Sequence, residues 1–289
     1  MLIASPLFLC LHMSTLNNKL CISIIGCGWY GMALAKQLLA NDFAVKGSTT
    51  TPEKLNYLAD AGIQPYLLDF GLGKSVDPKD FFMSNILIVC IPPKRISVDL
   101  DQYKDKITAI ATLATTYKIE HVLFISSTSV YGDMNSIVDE STIPNPQTPS
   151  GLQVLNAEQI LQQSSLFTTT ILRFSGLVGP GRHPGRFFAG RKDIPNGKAP
   201  VNLIHLDDCI GLTLEIIRRK AFGYIYNASS PDHLQKQTLY QLAIQLAGLA
   251  EATFIDELQE WKIISSIQVP KQLNYTFKMA NWTQWLKNL

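Results

Sequence analysis

Three short runs in this chain carry residue types that do chemistry. GCGWYG, Gly26 to Gly31, has the spacing of a turn that cradles phosphate. Gly26 permits the tight turn, Gly28 lets the backbone approach a pyrophosphate, and Gly31 allows a helix to pack closely on the preceding strand. Trp29 and Tyr30 are the bulky members of the run and stand beside any bound cofactor, with core or lid packing as their plainer role. SSTSVYGD, residues 126 to 133, offers the hydroxyls of Ser127 and Tyr131. GPGRHPGR, residues 179 to 186, sets Arg182 and Arg186 around His183. Guanidinium groups fork onto carboxylate or phosphate, and an imidazole exchanges protons near neutrality.

The cofactor that such a glycine turn would take is decided at the ribose end. A site for NAD places an acid at the end of the second strand, and that carboxylate repels a 2′-phosphate. KGSTTTPEK, residues 46 to 54, has none before Glu53. Ser48, Thr49 and Thr50 bring hydroxyls, and Lys46 or Lys54 could reach a phosphate, so NADP is expected, with NAD as the second choice. The same hydroxyls are also good caps for a helix starting at Pro52.

These runs need a scaffold, and the hydrophobic pattern supplies one. LCISII (20–25), AVKGS (44–48), PYLLDF (65–70), ILIVCI (86–91), HVLFIS (121–126) and TTTILRF (168–174) read as strands. MALAKQLLA (32–40), a stretch near 98–118 and LYQLAIQLAGL (239–249) read as helices between or after them. Alternation of this kind predicts an α/β fold: a doubly wound Rossmann parallel sheet with a small C-terminal substrate-capping part. The sheet domain is expected over 19–175, with 200–228 returning to it. The capping part is expected from 176–199 and 229–289. The glycine- and proline-rich run after the sixth strand is too long for an ordinary connection, and loops of that length are usually functional.

Composition narrows the function classes. With 289 residues the chain can bury a full core, and 46% hydrophobic against 17% charged residues excludes wholesale disorder. A net charge of +2 with no basic cluster argues against nucleic acid. Five cysteines, Cys10, Cys21, Cys27, Cys90 and Cys209, never form a CxxC pair, which fits buried thiols in the reducing cytoplasm and no metal site. Residues 1–18 are apolar but lack a basic lead and are too short to span a bilayer. They are expected to be a disordered extension, or to follow from a start placed too far upstream. A small-molecule substrate and no membrane partner are therefore expected, and a homodimer is compatible with this picture.

Taken together, GCGWYG, SSTSVYGD, RFSGLVGPGR (173–182) and NLIHLDD (202–208) resemble the extended short-chain dehydrogenases, the epimerase/dehydratase group. LVGPGRHPGRFFAG and VNLIHLDD are similar to its atypical YeeZ-like branch of NAD(P)-binding oxidoreductases. The resemblance implies that Ser127 takes the place of the family's active Ser/Thr, whose hydroxyl holds a substrate oxygen. It also implies that the family's tyrosine and lysine, four residues apart, fall in TPSGLQVLN on Ser150 and Val154. Serine is a poor acid near pH 7 and valine carries no charge.

Two functions follow from that departure. In one, the chain is an NADP(H)-dependent oxidoreductase or epimerase-like enzyme on a small anionic or sugar-derived substrate bound by Arg182 and Arg186. The proton donor has then moved, to His183 first or Tyr131 second. In the other, the chain binds and senses NADP(H) without turnover. His205 is expected to fix the return of the chain to the sheet through a hydrogen bond.

Overall fold

The computed structural model describes residues 19–71, 78–93 and 100–289, so the expected N-terminal extension lies outside the described residues. In chain order the first half runs β1 (Cys21–Ile25), α1 (Trp29–Ala40), β2 (Ala44–Thr49), α2 (Lys54–Asp60), β3 (Gln64–Leu67), α3 (Lys79–Phe82), β4 (Ile86–Val89), α4 (Leu100–Thr116) and β5 (His121–Ser127). There follow β6 (Ser136–Val138), α5 (Pro149–Gln162), β7 (Thr168–Phe174), β8 (Gly176–Val178), β9 (Leu203–His205), α6 (Leu206–Arg219) and β10 (Ile225–Ala228). The chain closes with α7 (Lys236–Leu246), β11 (Lys262–Ile264) and α8 (Trp282–Lys287).

Seven strands form one sheet in the order β10-β7-β5-β4-β1-β2-β3, and every neighbouring pair is parallel. The strands are apolar on both faces because helices cover both. Ile22 and Ile24 of β1 and Leu123 of β5 enter the core under α1 and α6, while Ile25, Val122 and Phe124 enter the core under α4 and α5. That alternation is the pleat expressed in side chains. Ser23, buried in β1, is tolerated because its hydroxyl donates to the Phe81 carbonyl at 2.5 Å.

The order reverses at β1, between β4 on one side and β2 on the other. In open parallel sheets the carboxyl ends of the strands at such a reversal are where ligands bind. GCGWYG leaves β1 at that point. The run 128–130 after β5 and the turn after β7 lie at the same end of the sheet.

Beyond the sheet, β8 pairs with β9 and β6 with β11, short two-stranded additions that no alternation of pattern announced. Each is three residues long, below the length at which periodicity separates a strand from a loop. A third core of Val178, Val201, Leu203, Leu239, Tyr240 and Trp282 carries α7 and α8 against this region. The C-terminal tail is anchored by Asp208, whose buried carboxylate accepts from the Tyr275 hydroxyl at 2.9 Å and the backbone amides of Lys278 and Met279 at 2.7 and 3.0 Å. No helix among the described residues is long and apolar enough to cross a membrane.

Candidate active site

Two concavities share Gly26, Gly28, Pro92 and Tyr103 and so form adjoining parts of one trough along the carboxyl end of the sheet. The first runs beside β2 and is lined by Ser48 to Thr51, Lys54, Asp69 and Lys106. The second runs past Trp29 towards Ser127, Ser150, Val154, Ser175 and Arg182.

The glycine turn at their junction is braced from below. The Gly26 amide donates to the Ser48 hydroxyl at 3.1 Å, and the Cys27 amide to the Ser48 carbonyl at 2.9 Å. Ser48 is therefore buried and spent on the turn, and the Thr49 hydroxyl accepts the Thr51 amide at 3.1 Å. Thr50 is exposed. Lys46, expected as a phosphate ligand, instead donates to the carbonyls of Asp80 and Met83; it shares the face of Ser48 but lies two residues further from the carboxyl end of β2 and is not in the trough's lining. Lys54 and Lys106 line that part of the trough, Lys106 with its ammonium 4.0 Å from Asp69.

The trough fits a dinucleotide by two observations. A Cβ built on Gly28 would meet nothing within 4 Å, so open space lies over the start of α1, where free backbone amides favour an anion. At the other end the Ser175 hydroxyl lines the trough, buried and without a hydrogen-bond partner among the described residues. A buried orphan of this kind costs stability unless a ligand satisfies it.

The remaining expected residues separate into two groups. Trp29 and Tyr30 both line the trough, but the Tyr30 hydroxyl is paired with Thr213 at 2.6 Å and its ring packs edge-on against Phe174. Trp29 is half-buried, with its indole N–H on the Pro180 carbonyl at 2.7 Å and the Arg182 guanidinium 4.5 Å from its ring centre. Ser127 ends β5, and its Oγ accepts the Ser129 amide at 3.1 Å, which leaves its own proton free to donate. Ser150 and Val154, on which the resemblance implies the family's tyrosine and lysine fall, face the same space from α5.

Tyr131 and His183 stand elsewhere. Tyr131 is buried, its hydroxyl donating to Asn227 Oδ1 at 3.0 Å and accepting from Arg173 at 2.5 Å. Burial raises its pKa above the ordinary phenol value, with Arg173 opposing the shift. It does not line the trough, and its place is in a sealed network with Arg173 and Glu158. His183 caps the turn 184–187, its Nδ1 accepting the Gly185 amide at 3.2 Å, which puts the neutral ring's proton on Nε2. Desolvation, and then the neighbouring Arg186, lower its pKa. Neither His183 nor the exposed Arg186 lines the trough, whereas Arg182 does. His205 caps α6 through the Asp207 amide at 3.2 Å, a structural hydrogen bond of the expected sort.

Sequence patterns passed over Lys106, Asp69, Ser175 and the Arg173–Glu158 pair. Asp69 was visible at the end of PYLLDF. Lys106 depends on the phase of α4 against the trough, and Ser175 on which way the chain turns after β7. Among the described residues no group of three or more His, Cys, Asp or Glu could hold a metal ion.

Comparison with known proteins places these features in context. The model of the NAD dependent epimerase/dehydratase family matches residues 22–228. Protein YeeZ of Escherichia coli K12 is 36% identical over 262 residues, which cover 89% of this chain and 95% of that one. A functionally unknown conserved protein from Silicibacter pomeroyi superposes with a TM-score of 0.74 at 22% identity, over 93% of this chain and 97% of that one. UDP-glucuronic acid 4-epimerase from Bacillus cereus, solved with UDP-glucuronic acid and NAD, superposes at 0.77 and 17% identity over 93% and 97% of the two chains.

Proposed function

The chain belongs to the NAD dependent epimerase/dehydratase family, and from that premise we propose that it is an NADP(H)-dependent oxidoreductase or epimerase-like enzyme acting on a small anionic or sugar-derived substrate. The observation that carries this is the single trough joining the glycine turn to Ser127. The bound dinucleotide would supply hydride transfer. Gly26 and Gly28 would admit its pyrophosphate, with Gly31 letting α1 pack against the turn, and Lys54 and Lys106 would favour a 2′-phosphate over a bare ribose. No acid ends β2 to oppose that phosphate.

The Ser127 proton, free because its oxygen already accepts the Ser129 amide, would be donated to the substrate oxygen. A proton must also reach or leave that oxygen, and neither Ser150 nor Val154 can carry it at neutral pH. His183 Nε2 is the group offered for it, one residue beyond Arg182 on the loop that follows β8. The UDP-glucuronic acid of the Bacillus cereus neighbour supports the anionic sugar class, with Arg186 as the exposed cation of that turn. We place this activity in the cytoplasm, with no nucleic-acid or membrane partner.

A second reading is favoured by uncharged Val154 lining the trough at the place where the resemblance implies a lysine: the protein binds NADP(H) and signals its presence without turnover. One experiment separates the two. NADPH oxidation is followed across carbonyl compounds, and conversion of nucleotide sugars is followed by product analysis because epimerisation leaves no net change in the cofactor, while NADP and NAD are titrated calorimetrically. Turnover supports the enzyme; tight binding with no turnover on any compound supports the sensor.

A further inference from the structure

Arg182 is the sole charged residue, among those described, that lines the part of the trough between the glycine turn and Ser127. Among the described residues no carboxylate pairs with it and no hydrogen bond engages its five donors; its guanidinium rests on the face of Trp29, 4.5 Å from the ring centre. The turn that carries it is closed by two backbone hydrogen bonds between Gly179 and Arg182, at 2.9 and 3.3 Å, and Gly181 takes the left-handed conformation this requires (φ +75°). The same turn is pinned to α1 by the Trp29 indole on the Pro180 carbonyl at 2.7 Å. The cation is thus held over the first turn of α1 before any ligand arrives, beside the open space above Gly28.

A dinucleotide pyrophosphate carries two negative charges, and GCGWYG contains no basic residue to meet them. Backbone amides at the start of α1 provide partial positive charge only. An arginine presents planar paired donors suited to a phosphate and also stacks on an aromatic face, so both surfaces of Arg182 have a use at this place. We propose that Arg182 is a cofactor clamp: seated on Trp29, it closes on the nicotinamide-side phosphate of the bound dinucleotide and does not bind the substrate anion. This rests on the dinucleotide reading above.

The test uses the full chain as wild type, Arg182→Met, Arg182→Lys and Trp29→Phe, titrated with NADPH and NADH and with the adenosine-side fragments 2′,5′-ADP and AMP. Arg182 is exposed, so its variants should keep the wild-type melting temperature. For the dinucleotide that wild type binds more tightly, Arg182→Met should lose about tenfold or more in affinity, the scale of a hydrogen bond to a charged group. The matching fragment, which lacks the nicotinamide-side phosphate, should change by less than about twofold. Arg182→Lys should fall between, since it keeps the charge but not the planar stack. Indole emission should shift on dinucleotide binding in wild type, and Trp29→Phe should abolish that shift.

Dinucleotide affinity unchanged in Arg182→Met, or lost equally for the fragment, would overturn the clamp while leaving the dinucleotide site standing. A rise in substrate KM alone would likewise return Arg182 to the substrate. No dinucleotide binding by wild type would overturn the site and the clamp together.

Discussion

Glu158 receives both Nε and a terminal NH2 of Arg173, at 2.9 and 2.6 Å, in an interior where neither side chain is more than 2% exposed. Glu158 is one helical turn beyond Val154 on α5, and Ser126 and Tyr131 complete the network through hydrogen bonds to Glu158 and Arg173. This charge pair therefore lies one turn along α5 from Val154, and it is already neutralised from within. Replacing Glu158 by Gln leaves a buried guanidinium uncompensated and should cost about 3–5 kcal/mol of stability. Glu158→Leu with Arg173→Met should cost less than Glu158→Gln alone, because no charge is left stranded. Urea denaturation of the three proteins checks the order, and a single variant within about 1 kcal/mol of wild type would refute the network's role.

The glycines of the nucleotide turn should respond differently. At Gly28 the backbone is extended (φ −84°) and a side chain would meet open space, so Gly28→Val should fold with an unchanged melting temperature and lose dinucleotide binding. At Gly31 a Cβ would collide with the Gly26 carbonyl, so Gly31→Ala should lower the melting temperature itself. Undiminished dinucleotide affinity in folded Gly28→Val would remove the site.

Cofactor choice is tested at the lysines. NADP should bind more tightly than NAD, and Lys54→Gln should reduce NADP affinity about tenfold, near the low end for hydrogen bonds to charged groups, with NAD nearly unaffected. Equal losses for both nucleotides would mean that Lys54 does not read the 2′-phosphate.

Ser175 offers a test in which stability and binding move apart. Ser175→Ala removes an orphaned buried hydroxyl, so the free protein should be as stable as wild type or more so. Binding of the ligand that satisfies this group should weaken. A large loss of stability without ligand would show that the hydroxyl has a partner after all.

The proton donor sets a pH dependence. The imidazolium of His183, formed when Nδ1 gives up the Gly185 amide and takes a proton, is the acid, and its pKa lies below the ordinary value of about 6.5, so the reductive rate should fall as pH rises through that lowered value. Arg186→Met removes one of the two causes and should move the decline to higher pH. His183→Ala should cut turnover by about 10²-fold with nucleotide binding intact, while Ser150→Ala should leave turnover nearly unchanged. Full activity in His183→Ala with the same pH profile would eliminate the histidine.

The sheet and the nucleotide turn were legible because their signals are local. Runs such as HVLFIS and TTTILRF are long and apolar enough to mark buried strands, and TTTILRF matches β7 to the residue. GCGWYG sits between a strand and a helix whichever way the rest of the chain folds. The small pairings β6–β11 and β8–β9 join segments far apart in sequence through three residues each, and no local pattern encodes such a match.

The functional residues divide along the same line. Residue type alone determined that Ser150 and Val154 bring neither an acid near pH 7 nor a cation, since no fold can make valine charged. Direction and distance belonged to the tertiary structure. GPGRHPGR contains three groups that each suit an anion or a proton, yet the closed turn at Gly179–Arg182 sends Arg182 into the trough and leaves His183 and Arg186 out of its lining. Tyr131 is four residues from Ser127, but the chain's bend at 128–130 turns its hydroxyl to Asn227 and Arg173. Lys46 and Lys54 were equal candidates in the sequence until the packing of α3 gave one the Asp80 carbonyl and α2 set the other beside the trough. Side-chain chemistry is a property of each residue, whereas the partner it meets is set by long-range packing, which is why the first could be read from the sequence and the second could not.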